Sequence, residues 1–294
     1  MAEPPNQDPV LAPLPSLPPY LTEPLPDLAA WTRYFCGTEI AILNETALTL
    51  EDLRAIEDDV DASMLSAAIQ ADPLMTLKLM AHVALNRRSG VATETETLTS
   101  SLVMMGISPF FRAFGPQPSV EARLQDQPLA LEGLRQLLHR AARAGQFALG
   151  FAVHRGDTDA DVIHQAAFLH DFAEMLMWCA APTLQLRVRD AQLADPTLRT
   201  ATVQRTVLGI ELDDLRQALM KLWHLPELLI RISDRKHPDH PTVRNVVLAV
   251  KLARHSMLGW DNAALPDDIE DIAKLLNASP RVALAYVRKL DHSV

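Results

Sequence analysis

Two neighbouring side chains, His170 and Asp171, give this chain its clearest capacity for chemistry. They stand in the run Ala167-Phe168-Leu169-His170-Asp171-Phe172-Ala173-Glu174-Met175-Leu176-Met177-Trp178. An imidazole beside a carboxylate can hold a divalent metal, and a metal so held acidifies water for attack on phosphorus. Two such residues alone are weak support, because a histidine on an apolar helix face is more often a hydrogen-bonded core or boundary residue. The chemistry depends on further ligands. Spacing brings two into view: His139, in Leu137-Leu138-His139-Arg140-Ala141-Ala142, and Glu174, one helical turn beyond His170.

The elements that would position them are helices. A helix over roughly residues 160–178 puts Ile163, Ala167, His170 and Glu174 near one stripe. A long amphipathic pattern runs before it from Leu129 to His154, and Gly156-Asp157-Thr158-Asp159 supplies the turn and an N-cap. Helices joined by so short a turn run antiparallel, so His139 and His170 are expected to face each other. Residues 200–224 and 241–258 give two more helices. Pro266–Leu276 and Ser279–Leu290 form a last pair, with Ser279 at N-cap and Pro280 at the first helical position. Upstream, Thr49 offers an N-cap followed by acidic residues, and Asp61–Ile69 is a second stretch that stops before Pro73. Residues 74–85 place Leu74, Leu77, Met80 and Ala81 on one face, and Thr99–Gly106 reads as a helix closed by a glycine. Pro, Gln and charge accumulate between Gly115 and Gln127, which marks a subdomain boundary. No segment alternates with period two, and no repeat of fixed length occurs.

Composition agrees. Apolar residues make up 48% of the 294 and aromatics only 5%, a balance that favours helix over strand. Net charge is −10 from 27 basic and 37 acidic residues, with no basic stripe, which argues against general nucleic-acid binding. Cys36 and Cys179 are too few and too far apart for a disulfide framework or a zinc ribbon, and read as buried free thiols. Nine of the 21 prolines fall in residues 1–26, a leader expected to be extended or disordered and strapped to the surface. The acidic start lacks the pattern of a signal peptide, and no apolar run approaches the ~20 residues of a membrane span. The expectation is a cytoplasmic protein without membrane contact. Glu57-Asp58-Asp59 and Asp61 lack the spacing and glycine of an EF-hand loop. No glycine-rich phosphate loop and no Gly-x-Ser-x-Gly elbow is present.

Several segments in order resemble the HDOD proteins, bacterial signalling modules named for an HD-related output domain. The resemblance covers most of residues 10–260. It begins at Leu14-Pro15-Ser16-Leu17-Pro18 and continues through Ile69–Met80, Leu98-Thr99-Ser100 and Leu102–Ile107. It is strongest at Ala167–Trp178, Val207-Leu208-Gly209-Ile210 and Leu222-Trp223-His224-Leu225-Pro226. It implies an all-α, multi-helix HD-like bundle: a Pro-rich leader (1–26), an N-terminal helical lobe (27–118), a degenerate HD-like bundle (127–260) and a C-terminal helical pair (261–294).

The same resemblance weakens the metal reading. Catalytic HD relatives need a histidine on the earlier helix, the His-Asp pair and a distant Asp, often with further histidines. His139 resembles the first ligand and His170 with Asp171 the pair. The lysine that usually follows is replaced by Glu174, Leu212 stands where a histidine is expected, Pro238 breaks a histidine pair at His237, and Ala249-Val250 replaces the late Ala-Asp. His139, His170 and Asp171 are therefore expected to be a vestigial metal cluster with no catalytic residue and no resident cofactor beyond weak divalent metal. The implied function is a non-catalytic regulatory module acting through protein partners, with no nucleic acid and no membrane. Residues 1–26 are too short for a sensor domain, so input is expected in trans or through the helical domain itself. Two alternatives stay open: a phosphohydrolase acting on a nucleotide or cyclic dinucleotide with Glu174 completing the shell, and a small-molecule sensor using the former active-site pocket. The sequence does not fix the oligomeric state.

Overall fold

The structure, a computed structural model, describes residues 17–86, 97–195, 197–234 and 240–291. Among them there is no strand, only an isolated bridge between Ile42 and Ser119. The chain is an all-α bundle carrying an N-terminal lobe.

The first helices are α1 (Leu28–Cys36), α2 (Asn44–Ala55), α3 (Ala62–Ile69), α4 (Pro73–Leu85), α5 (Leu98–Met105), α6 (Ile107–Ala113) and α7 (Val120–Arg123). Local caps set several starts: Asp61 accepts from the Met64 amide, Asp72 precedes Pro73, and Thr97 with Ser100 forms a capping box. α5 ends at Gly106, whose φ of 80° suits glycine. Thr49 is not the N-cap expected of it. It lies inside α2 with its hydroxyl bonded back to the Glu45 carbonyl. The helix starts earlier because two distant carboxylates take the entry amides: Asp72 accepts from Leu43 at 2.8 Å and Glu121 from Asn44 at 2.9 Å.

α4 is apolar on all but the face that carries Lys78 and His82, and it serves two cores. Leu74, Leu77, Met80 and Ala81 join the larger core, whereas Met75, Leu79 and Val83 join the lobe's own core with Ile42, Leu65 and Phe110. Trp31 and Phe35 of α1 lie in the larger core, although residues 27–118 read together as the lobe in sequence. The Trp31 indole also donates to the Leu208 carbonyl.

The bundle comprises α8 (Pro128–Arg155), α9 (Ala160–Phe168), α10 (Phe172–Ala180), α11 (Pro182–Ala194), α12 (Thr200–Leu208), α13 (Leu212–Leu222), α14 (Glu227–Ser233), α15 (Pro241–His255), α16 (Leu265–Leu276) and α17 (Pro280–Asp291). Two expected helices are broken. Residues 200–224 divide at Gly209, whose φ is 75°. Residues 160–178 divide at Leu169-His170-Asp171, where the ladder tightens: His170 donates to Ala167 and Phe172 to Leu169. The last pair packs into the same core through Leu265, Ile272, Ala283 and Val287. Arg143 of α8 fastens it by reaching Asp291, Ser256 and the Ala253 carbonyl.

The Pro-rich leader up to residue 16 lies outside the described residues. Residues 17–25 form a strap: Leu17, Tyr20, Leu21 and Leu25 pack on the larger core, and the Leu21 amide donates to Ala180. The Arg123 guanidinium sits 4.0 Å from the Tyr20 ring centre and also donates to the Cys179 carbonyl. Cys179 lines a small cavity walled by Leu17, Pro18 and Tyr34, and burial pushes its thiol up to about 12. Cys36 is exposed, not buried as expected, because it ends α1 at the surface.

Candidate functional site

α8 and α10 pack antiparallel with a register that can be read residue by residue. Gly133 of α8 lies under the Trp178 ring of α10, so close that a Cβ there would come within 2.6 Å of the ring. Arg140 lies seven residues after Gly133, and Asp171 seven before Trp178, two helical turns in each case. The close contact at one end therefore sets Arg140 opposite Asp171 at the other.

Arg140 closes on two carboxylates. Its Nη2 donates to Asp171 Oδ2 at 2.8 Å and Glu174 Oε2 at 3.1 Å, and its Nε reaches Asp171 Oδ2 at 3.1 Å. The other Asp171 oxygen, Oδ1, is 2.7 Å from His170 Nδ1. The side chains of His170, Asp171 and Arg140 are 9%, 12% and 19% exposed. Behind them the buried Arg216 donates to the His170 carbonyl at 3.0 Å, to the Ser233 carbonyl at 2.9 Å and to Asp213. These bonds hold the break between α9 and α10.

The electrostatics follow from this packing. Burial favours the neutral form of His170, and the nearby Arg216 charge adds to it, bringing its pKa down to about 4. Burial pushes Asp171 the other way, but the Arg140 guanidinium outweighs it and holds the carboxyl well below its usual range. Burial likewise disfavours the Arg140 charge, and Asp171 with Glu174 more than offsets this. An ionised Asp171 only accepts, so neutral His170 carries its proton on Nδ1 and donates it. The cluster is thus a neutral imidazole, two carboxylates and one fixed cation. It borders a pocket of 110 Å³ also lined by Thr200, Gln204, Glu211, Asp213 and Arg254. Glu211 there is paired with Arg205, and Asp213 with Arg216.

These residues do not fit a resident divalent metal. His139 does not face His170, as the helix pairing led one to expect. It is exposed, since adjacent residues on a helix point about 100° apart and Arg140 takes the inward position. Glu174 does come in, but onto Arg140. Both Asp171 oxygens have partners, and no group of three or more His, Cys, Asp or Glu among the described residues could hold an ion. A second cation beside Arg140 would meet repulsion of about 4 kcal/mol per unit charge at ~4 Å and an effective permittivity of ~20. Leu212, Ala249 and Val250, where the catalytic pattern has ligands, are buried core residues. His237 and Pro238 lie outside the described residues. His170 and Asp171 thus stand together as expected, with Arg140 in place of His139.

Arg140 and Arg216 are the residues of the cluster that sequence reasoning missed. The signal for Arg140 was present: it shares a stripe with Gly133, Leu137 and Ala144, all buried, whereas His139 follows the exposed Arg135 and Gln136. Arg216 had no such signal, because its bonds run to backbone carbonyls far away in sequence.

Comparison with known proteins comes from two directions. The family model for the HDOD domain matches residues 41–238, roughly two thirds of the chain. The crystal structure of the MmoQ response regulator from Methylococcus capsulatus is similar with a TM-score of 0.60 and 17% identity, over 81% of this chain and 98% of that one. That of a virulence factor from Campylobacter jejuni is similar with a TM-score of 0.60 and 14% identity, over 91% and 100%. Identities this low speak to the fold alone. No curated protein matches the chain. Among the described residues no helix is long and apolar enough to cross a membrane.

Proposed function

The chain belongs to the HDOD domain family, and from that membership we propose that it is a non-catalytic regulatory module of bacterial signal transduction, acting in the cytoplasm through contacts with protein partners. One observation carries the reading: the Arg140 guanidinium is bonded to both carboxylates that a hydrolytic metal would need. Metal-assisted hydrolysis requires an ion with open positions for water and substrate, and a fixed organic cation offers neither. The similarity in fold to a protein described as a response regulator supports a signalling role.

The test is elemental analysis of the purified full chain, followed by phosphodiesterase and phosphatase assays with added Mn²⁺ and Mg²⁺. No bound metal and no turnover above a His170→Ala control is the expected result. Turnover that His170→Ala abolishes would overturn the proposal and restore the phosphohydrolase reading.

The pocket beside the cluster favours a second reading, in which a small molecule is sensed without chemistry. Its wall of Thr200, Gln204 and Arg254 gives polar contacts, and 110 Å³ holds only a small ligand. A metabolite-sized compound that raises the melting temperature of the native chain but not of Arg254→Ala would support it.

A further inference from the structure

We propose that the cavity at the seam between the N-terminal lobe and the bundle binds an uncharged, flat nitrogen heterocycle, held between aromatic walls and bonded by His82. This site lies apart from the cluster at the α9–α10 break and does not depend on how that cluster is used.

The cavity measures 380 Å³, a volume in the range of small-molecule sites. It opens between the end of α1, one face of α4, the turn after α6 and the end of α13. Its walls come from both cores: Phe35, Ala81 and Trp223 belong to the larger one and Phe114 to that of the lobe. A molecule seated there touches lobe and bundle at once, so its binding favours the arrangement in which the two are joined.

The charge pattern selects the occupant. Among the described lining residues only Lys78 and Glu39 are charged, and they are paired. Lys78 has three donors, and Glu39, Gln117 and the Ile40 carbonyl take them. An anion therefore finds no free cation, and a cation would compete with Lys78 for Glu39. Either would be stripped of water without a partner of its own.

His82 is the group left to recognise a guest. Its ring centre lies 5.0 Å from that of Phe114, edge to face, and its nitrogens have no hydrogen-bond partner among the described residues. Burial holds its pKa below the ordinary 6.5, so at neutral pH the imidazole offers one N–H donor and one lone pair. A flat heterocycle matches this set: its faces pack on Phe114 and Trp223, and a nitrogen or amide at its edge bonds the imidazole. Cys36 marks the rim, since its thiol is exposed and lines the same cavity.

The experiment compares nicotinamide with nicotinate, probes of one ring that differ in charge, on the full chain. Nicotinamide is expected to bind with a Kd of about 1 mM, within reach of so small a molecule. At about 10 mM it should raise the melting temperature by about 2 °C and slow alkylation of Cys36, read by peptide mass spectrometry, by about threefold. Nicotinate at the same concentration should do neither. His82→Leu, which keeps the bulk without donor or acceptor, should lose both effects. The contrast between the two probes on the natural chain decides the matter even if that variant does not fold. No effect of nicotinamide, an equal effect of nicotinate, or protection of Cys36 that survives in a folded His82→Leu chain would overturn the inference and leave the regulatory reading standing.

Discussion

Asp72, fully buried, and Asp171, largely so, both stand at the entry of a helix, yet the protein satisfies them in opposite ways. Asp72, in the N-terminal lobe, is held by backbone: the amides of Leu43, Leu74 and Met75 donate to it at 2.8, 2.9 and 3.0 Å. Burial dominates there, and its carboxyl is pushed up from the ordinary value. Asp171, in the bundle, caps no amide with its side chain and is held by Arg140 and His170, which keep its carboxyl depressed. Amide dipoles make a rigid joint between α2 and α4. Charged side chains instead tie Asp171 to α8 and to its own neighbour His170. The difference separates an aspartate held by backbone amides from one held by side chains.

The largest test of that contrast is Arg140→Ala. It leaves two partly buried carboxylates without their cation and should cost about 3 kcal/mol by denaturant unfolding, in the range for breaking a buried ion pair. A loss below about 1 kcal/mol would show that water already screens the cluster. Asp72→Ala should cost about 2 kcal/mol, from a lost N-cap and an orphaned Leu43 amide. Asp72→Asn, which keeps an acceptor oxygen, should recover most of it, whereas Asp171→Asn should not, because its partner requires charge. Equal losses for the two asparagine variants would erase the distinction. Gly133→Ala should cost about 1–2 kcal/mol by forcing Cβ into the Trp178 ring. It should also loosen Arg140 from Asp171, measurable as weaker coupling in a double-mutant cycle.

The smallest effect is in pH dependence, and the two aspartates carry opposite signs. Asp171 has a folded pKa below the ordinary 3.8, so its contribution is present above that value and lost as pH falls toward the folded one. Asp72 has a raised folded pKa, so its contribution is full below 3.8 and lost as pH rises through the folded value. Unfolding titrations from pH 6 downward should therefore show less acid destabilisation in Asp171→Asn than in the natural chain, and more in Asp72→Asn. The same sign for both would contradict the assigned partners.

The fold was largely legible because its signals are local. Pro73 stops the stretch before it, Gly106 closes another, and the stripe Leu74, Leu77, Met80, Ala81 is the face of α4 that enters the larger core. The cluster was half legible. His170 and Asp171 stand out by type, but their setting depends on residues 30 or more positions away. Periodicity extended one helix through them, because nothing nearby shows that the Arg216 guanidinium claims the His170 carbonyl. The step from His139 to Arg140 is a single residue, and only the burial of Gly133 and Leu137 tells which of the two turns inward. A histidine draws attention through its chemistry, and here the neighbouring arginine takes the inward position expected of it.

The strap over residues 17–25 gives the molecule a clock that needs no engineered label. Its two thiols differ in setting: Cys36 is at the surface, and Cys179 is half-buried in the cavity that Leu17 and Pro18 help to wall, with its thiol pushed up by burial. An alkylating reagent at neutral pH should thus modify Cys36 first and Cys179 more slowly, at a rate that rises when the strap lifts. Any partner that seats or unseats the strap would reveal itself as a change in that rate.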